Sequence, residues 1–177
     1  DLTADAALLT EFQVDYIFSP DEKEVYGENF STYVYVENLT ETLEGASRPG
    51  HFRGVATVVT ILFNTIRPDF AYFGQKDAQQ VAVIKRLTQD LGFDTEIIIL
   101  PIIREENGLA MSSRNALLSD EERKKAAIIY QALREAKIAA KNGERNALNL
   151  EQIVRNKIEM EPLAKIDYIA IVDNDTL

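Results

Sequence analysis

Two hydrophobic rhythms alternate along the 177-residue chain. Between 51 and 66, Val55, Val58, Val59, Leu62, Phe63 and Ile66 recur at the 3.6-residue period of a helix and predict one apolar stripe. No charge falls between Arg53 and Arg67, and Ala56, Thr57, Thr60, Ile61 and Thr65 occupy the other side. That helix is therefore expected to be covered twice, by its own sheet and by a second domain or subunit. Another helix is predicted over 77–91, with Val81, Ile84, Leu87 and Leu91 on one face and Gly92 as its left-handed stop. Short apolar or β-branched runs at 14–18, 32–36, 69–73 and 95–99 predict strands. The run 95–99 is nearly all apolar, as a strand buried on both faces of a parallel sheet would be. Strand, helix and strand from 69 to 99 then form a βαβ unit, whose crossover should be right-handed. Residues 1–12 read as the end of an amphipathic helix.

Beyond Asn115 the pattern changes. Ser119 and Glu122 have capping-box spacing, and the helix after them is expected to turn Ala126, Ile129, Tyr130, Leu133, Ala136 and Ala140 inward until Asn142-Gly143. Asn149 and Gln152 open a shorter helix that ends before Pro162, and 166–172 predicts a last strand. The fold expected is α/β: a parallel sheet over 1–113, then a small α+β domain over 114–177.

Composition narrows the function. A formal charge of -10 and a pI near 4.7 argue against a nucleic-acid or anionic-membrane binder, because both need a positive field. An anionic substrate must therefore meet a local basic site. The absence of cysteine removes thiolate metal sites, disulfides and a thiol nucleophile. With His51 the only histidine, there is no basis for a His-cluster metal centre or Ser-His-Asp hydrolysis. The longest apolar runs, 55–63 and 97–103, are too short to span a bilayer, and no signal-peptide pattern is present, so a cytoplasmic location is expected. The chain opens on Asp1 rather than methionine and ends just after an apolar run, which suggests part of a longer protein.

Three polar clusters could carry chemistry. "FGQKDAQQ", residues 73–80, lies at a strand-to-helix turn, where ligands of open parallel sheets gather. There Gly74 allows close approach, Lys76 offers a point charge and the helix start offers free N–H groups. Asp77 and Gln80 also have capping-box spacing and could simply close the helix. "REENGLAMSSRN", residues 104–115, puts Ser112, Ser113 and Arg114 on a loop suited to gripping an anion, although it also resembles an interdomain linker. "SRPGHFRG", residues 47–54, crowds Arg48, His51 and Arg53 at a helix start, as anion contacts or as helix-capping and solvating groups.

The order "LEGASRPGHFRGV", "RPDFAYFGQKDAQQ", "GLAMSSRN" resembles the pantothenate synthetase family across essentially the whole chain. The resemblance implies a Rossmann-like nucleotidyltransferase fold and ATP-dependent ligation of pantoate to β-alanine through a pantoyl adenylate, with release of AMP and pyrophosphate. It implies ATP contacts at Gly74, Gln75, Lys76, Asp77, Ile103, Met111, Ser112, Ser113 and Arg114, and a pantoate contact at Gln80. Lys76, Ser112, Ser113 and Arg114 would carry catalysis, and Arg48 and His51 would be further anion contacts. Mg²⁺ would accompany ATP, and no protein metal site is expected. "MSSRN" stands where the KMSKS-like loop of related nucleotide-handling enzymes belongs. The family's HIGH-like motif and first pantoate-binding glutamine have no match here, so they are expected to lie before residue 1; the small domain is expected to be cut off, and the 177 residues alone nearly inactive. A homodimer is expected, with the uncharged helix 51–66 as candidate interface. The competing readings are a non-catalytic dimerising piece and another adenylate-forming nucleotidyltransferase, the latter disfavoured by the acidic charge.

Overall fold

The computed structural model describes residues 2–173 and 177, which fall into two units, Asp1–Thr32 and Tyr33–Leu177. The first unit holds helix α1 (Leu2–Glu11) and a single turn, α2 (Glu22–Val25), whose start is fastened by the Asp21 N–H donating to Glu24 Oε2 at 2.8 Å. None of its described residues is buried, so α1 lacks the covered apolar face expected of it. The strand expected over 14–18 does not form. Val14, Tyr16, Ile17 and Phe18 stand exposed, Tyr16 at 91%, and a strand without a neighbour cannot satisfy its backbone groups.

The second unit runs α3 (Glu44–Ser47), α4 (His51–Ile66), β1 (Phe70–Gly74), a 3₁₀ turn (Gln75–Asp77), α5 (Ala78–Asp90), β2 (Glu96–Leu100), a second 3₁₀ turn (Ser113–Leu117), α6 (Asp120–Ala126), α7 (Ile128–Lys141) and α8 (Ala147–Ile158). The expected strand-helix-strand unit is present: β1 and β2 pair in parallel, from Phe70 opposite Glu96 to Gly74 opposite Leu100. These two strands make the whole sheet among the described residues. With so narrow a sheet, β2 is not buried on both faces as its apolar sequence predicted, and Ile99 and Leu100 are 39% and 46% exposed.

The main core joins Phe52, Ala56, Val59 and Phe63 of α4 to Val83, Ile84 and Leu87 of α5, with Val36 and Leu39. The buried stripe of α4 is thus rotated from the predicted one: Val55, Val58 and Leu62 are half-buried and Ile66 is 51% exposed. The other side of α4 does receive a second cover at Thr57, but from this chain's own residues 33–36. The strand expected there is a segment without regular secondary structure instead. Its Val34 N–H donates to Thr57 Oγ1 at 3.0 Å, and the Arg53 guanidinium lies 4.7 Å from the centre of the Tyr33 ring. On α5, Thr88 is buried while the predicted core residue Leu91 is 52% exposed. Gly92 takes the left-handed stop at φ +64°.

A smaller core forms where α7 meets α8: Ala132, Val154 and Ile158 are buried, flanked by Ala136, Ala164, Ile166 and Ile169. The Ser119–Glu122 capping box is present, with the Glu122 N–H donating to Ser119 Oγ at 3.3 Å and the Ser119 N–H to Glu122 Oε2 at 2.8 Å. The single helix expected after it is divided at buried Ala127, and Ile129 and Leu133 are 47% and 48% exposed rather than inward. α8 opens on Asn146, whose Oδ1 accepts from the N–H groups of Leu148 and Asn149, three residues before the expected start. The strand expected over 166–172 is absent from its described residues; the Ile171 N–H donates instead to Glu151 Oε1 at 2.9 Å. The boundary expected between 113 and 114 lies inside this second unit. Among the described residues no helix is long and apolar enough to cross a membrane.

Candidate active site

Both strands point their carboxyl ends at the same place. The turn after β1 carries Lys76 and Asp77, and the chain leaving β2 at Leu100 returns through the Ser112–Arg114 loop. Between them lies a cleft of about 590 Å³, lined by Lys76, Asp77, Gln80, Ser112, Ser113, Arg114, Arg48 and His51 among others. All three polar clusters of the sequence therefore contribute to one cavity. Gly74, Gln75, Ile103 and Met111 are exposed and do not line it, Ile103 being 69% and Met111 56% exposed. The lining carries three cations, Arg48, Lys76 and Arg114, against two carboxylates, Glu44 and Asp77. This acidic chain has thus kept a locally basic cavity.

The Asp77–Gln80 capping box is not formed. Asp77 makes no side-chain cap on α5, and its Oδ1 accepts instead from Lys76 Nζ at 2.8 Å. The first turn of α5 is left without that cap, as an anion site at a helix N-terminus requires. Gln80 is half-buried, and its amide makes no hydrogen bond to the described residues. Arg114 is exposed, while its own N–H is turned toward Ser112 Oγ at 3.3 Å, which fixes the start of the 3₁₀ turn.

At the start of α4, Arg48 Nη1 lies 3.2 Å from both Glu44 Oε1 and His51 Nε2. A guanidinium has only donors, so His51 must offer the Nε2 lone pair and carry its proton on Nδ1. Burial pushes the His51 pKa below its ordinary value, and the charges of Arg48 and Arg114 add to this against Glu44 and Asp77. The histidine is therefore a neutral dipole facing the cleft.

Gln79 was not singled out from the sequence. It is buried, its Nε2 donates to the carbonyls of Leu39 at 2.9 Å and Thr42 at 2.8 Å, and its Oε1 accepts from the Glu44 N–H at 3.1 Å. One amide thus ties the 39–44 segment to the first turn of α5. Helical spacing could have found it, because Gln79, Val83 and Leu87 share one buried face. Tyr168 also lines the cleft, and the neighbouring Asp167 accepts from Ser47 Oγ at 3.1 Å. Burial, with Glu44 and Asp167, raises the Tyr168 pKa and keeps its hydroxyl protonated. The sequence placed Tyr168 within the strand expected over 166–172 and gave it no site role.

A family model described as pantoate-beta-alanine ligase matches residues 1–177. The pantothenate synthetase of Syntrophotalea carbinolica is 54% identical over 177 residues, covering all of this chain and 62% of that protein. The crystal structure of pantothenate synthetase from Thermus thermophilus superposes with a TM-score of 0.96 at 47% identity, over all of this chain and 64% of that one. A pantoate-beta-alanine ligase from Francisella tularensis, solved with beta-gamma ATP and beta-alanine, matches 98% of this chain and 62% of its own, with a TM-score of 0.79 at 33% identity. The chain spans a little under two thirds of the length of these relatives. With sequence and backbone in agreement over that whole span, the chain belongs to the pantoate-beta-alanine ligase family.

Proposed function

We propose that the protein condenses pantoate with β-alanine to pantothenate, using ATP. A pantoate carboxylate oxygen attacks the α-phosphorus; the bond to pyrophosphate breaks and a pantoyl adenylate remains. The amine of β-alanine then attacks the acyl carbon, the C–O bond to AMP breaks, and the nitrogen loses a proton as the amide forms. The observation that carries this reading is the meeting of Lys76, Gln80 and Ser112–Arg114 in one basic cleft at the carboxyl ends of both strands.

Negative charge grows on the α-phosphoryl oxygens and the departing pyrophosphate, and Lys76 and Arg114 are the cations that meet it. Ser112 and Ser113 add hydroxyl donors, and the uncapped first turn of α5 adds N–H groups. Gln80, uncharged and without a partner among the described residues, can hydrogen-bond pantoate without neutralising the attacking carboxylate. Arg48 and His51 form the far side of the anion site. Gly74, Gln75, Ile103 and Met111, which do not line the cleft, are assigned to ATP by the family pattern alone. Mg²⁺ enters with ATP as part of the substrate. Among the described residues no cluster of three His, Asp or Glu side chains could hold a metal, and Mg²⁺ ordinarily needs only one or two carboxylates beside phosphate.

The smaller core around α7 and α8 supports a working division into 1–113 for the nucleotide and 114–177 as a second body. A cytoplasmic location is part of this reading, because ATP is supplied there. A homodimer through the uncharged face of α4 completes the reading, with Ile66, 51% exposed, as its apolar contact; sedimentation of the protein as monomer would remove it. The assay for the reaction uses the protein as encoded, with whatever flanks residues 1–177. AMP release should require both ATP and pantoate, and β-alanine should convert the adenylate to pantothenate. AMP formation independent of pantoate would overturn the assignment.

A further inference from the structure

The Ser112–Arg114 loop has little apolar anchorage: Met111 is 56% and Leu117 84% exposed on either side of it. Polar ties must therefore decide where Arg114 stands, and they converge on one carboxylate. Glu105 Oε1 accepts from Asn115 Nδ2 at 2.9 Å, from Arg123 Nε at 3.1 Å and from Arg123 Nη2 at 2.9 Å, while Oε2 accepts from Arg123 Nε at 2.9 Å. Asn115 is the residue after Arg114, and its Nδ2 also donates to the Ala110 carbonyl at 3.1 Å. Arg123 belongs to α6, so the fork from Glu105 spans from that helix to the loop. A second tie runs parallel. The Arg104 guanidinium lies 4.0 Å from the centre of the Tyr130 ring and donates to the Gly108 carbonyl at 3.1 Å. Gly108 sits so close to Tyr130 that a Cβ would come within 2.3 Å of the ring.

We infer that Glu105 is the positioning residue of the Ser112–Arg114 loop, holding it against α6 through Asn115 and Arg123 so that Arg114 faces the phosphates of ATP. The inference rests on the proposed function for the identity of the ligand. Glu105 does not line the cleft; it acts through its neighbours. Its side chain is only 16% exposed, and the Arg123 and Asn115 hydrogen bonds hold its pKa below the ordinary carboxylate value, so it stays charged at neutral pH.

The test compares Glu105→Gln, Arg123→Lys and wild type in the protein as encoded, by adenylation kinetics, equilibrium ATP binding and thermal melting. Glu105→Gln should raise KM for ATP about tenfold, the loss of one charge-assisted hydrogen bond's worth of placement, and leave KM for pantoate unchanged. Arg123→Lys keeps the charge but not the fork and should fall between the two. A lowered melting point with both KM values unchanged, or a rise in both together, would assign the network to stability alone and overturn the inference. If the wild type makes no AMP from ATP and pantoate, the functional reading fails by itself. ATP affinity then still decides this one, weaker in Glu105→Gln for and equal against.

Discussion

Lys76 has one partner among the described residues, and the proposed function gives it a second. In the free protein its Nζ is 2.8 Å from Asp77 Oδ1, with the two side chains 37% and 57% exposed, an arrangement worth at most about 1 kcal/mol. A triphosphate carries far more charge, so under the proposed function the lysine would leave that pair for ATP. Lys76→Ala should slow adenylation by roughly 10²- to 10³-fold, as loss of a transition-state charge partner does, and change unfolding free energy by less than about 0.5 kcal/mol. Rates of AMP release and urea denaturation check the two halves; an unchanged rate would leave Lys76 as the partner of Asp77 alone. His51 makes a different prediction. Its folded pKa lies below the 6.5 of a free side chain, chiefly because burial and then Arg48 disfavour the imidazolium. Between those two values the unfolded chain binds more protons, so neutral His51 contributes stability that is present above pH 6.5 and lost as pH falls below it. Wild type should therefore lose more stability than His51→Gln between about pH 7.5 and about pH 5.5. Parallel urea midpoints for the two proteins over that range would mean that His51 titrates as it does when unfolded.

Helices were legible because their information is local. The period between 51 and 66, the Ser119–Glu122 box and the glycine at 92 each fix an element from residues a few positions apart, and the structure places α4, α6 and the end of α5 accordingly. Strands were legible only at 69–73 and 95–99, which pair as β1 and β2, because a strand exists only with its neighbour. The runs at 14–18, 32–36 and 166–172 have apolar or β-branched character but pair with nothing among the described residues. Lys76, Gln80 and Ser112–Arg114, which line the cleft, were legible as candidates from motif order. The burial of Gln79 was within reach of helical spacing, but its partners and the Glu105–Arg123 fork were hidden, since what matters there is contact across 35 residues from Gln79 to Glu44 and 18 from Glu105 to Arg123. The 33–36 segment gives this a test at the scale of the element. Thr57 Oγ1 accepts from the Val34 N–H at 3.0 Å and donates to the Arg53 carbonyl at 2.7 Å, with the residue only 3% exposed. Thr57→Val keeps the shape but strips the acceptor from a half-buried donor, which should cost about 1–3 kcal/mol by chemical denaturation. Thr57→Ser should stay near wild type; equal losses in both variants would show that the methyl packing, and not the hydrogen bond, fastens the segment to α4.

At the scale of the molecule the question is whether residues 33–177 act as one cooperative body. The cleft argues for unity, since Tyr168 lines it with Lys76 and Arg114, and Asp167 is bonded to Ser47. The cores argue for division: no buried residue of the α4–α5 core belongs to the α7–α8 core, and the boundary between 113 and 114 separates the two sets. Polar contacts across the cleft are exposed and each worth little, whereas burial of Ile84, Leu87 and Val83 is close to complete. The division should therefore prevail in the dynamics. Ile84→Val removes one methylene from a site with 0% exposure and should cost about 0.5–1.5 kcal/mol. Native-state amide exchange should then quicken about 2- to 12-fold in α4 and α5 and stay unchanged in α7 and α8, because protection within a cooperative unit follows that unit's own stability. Equal acceleration in all four helices would show a single unit, in which the small core has no stability of its own and the Ser112–Arg114 loop is held by the same free energy as the sheet.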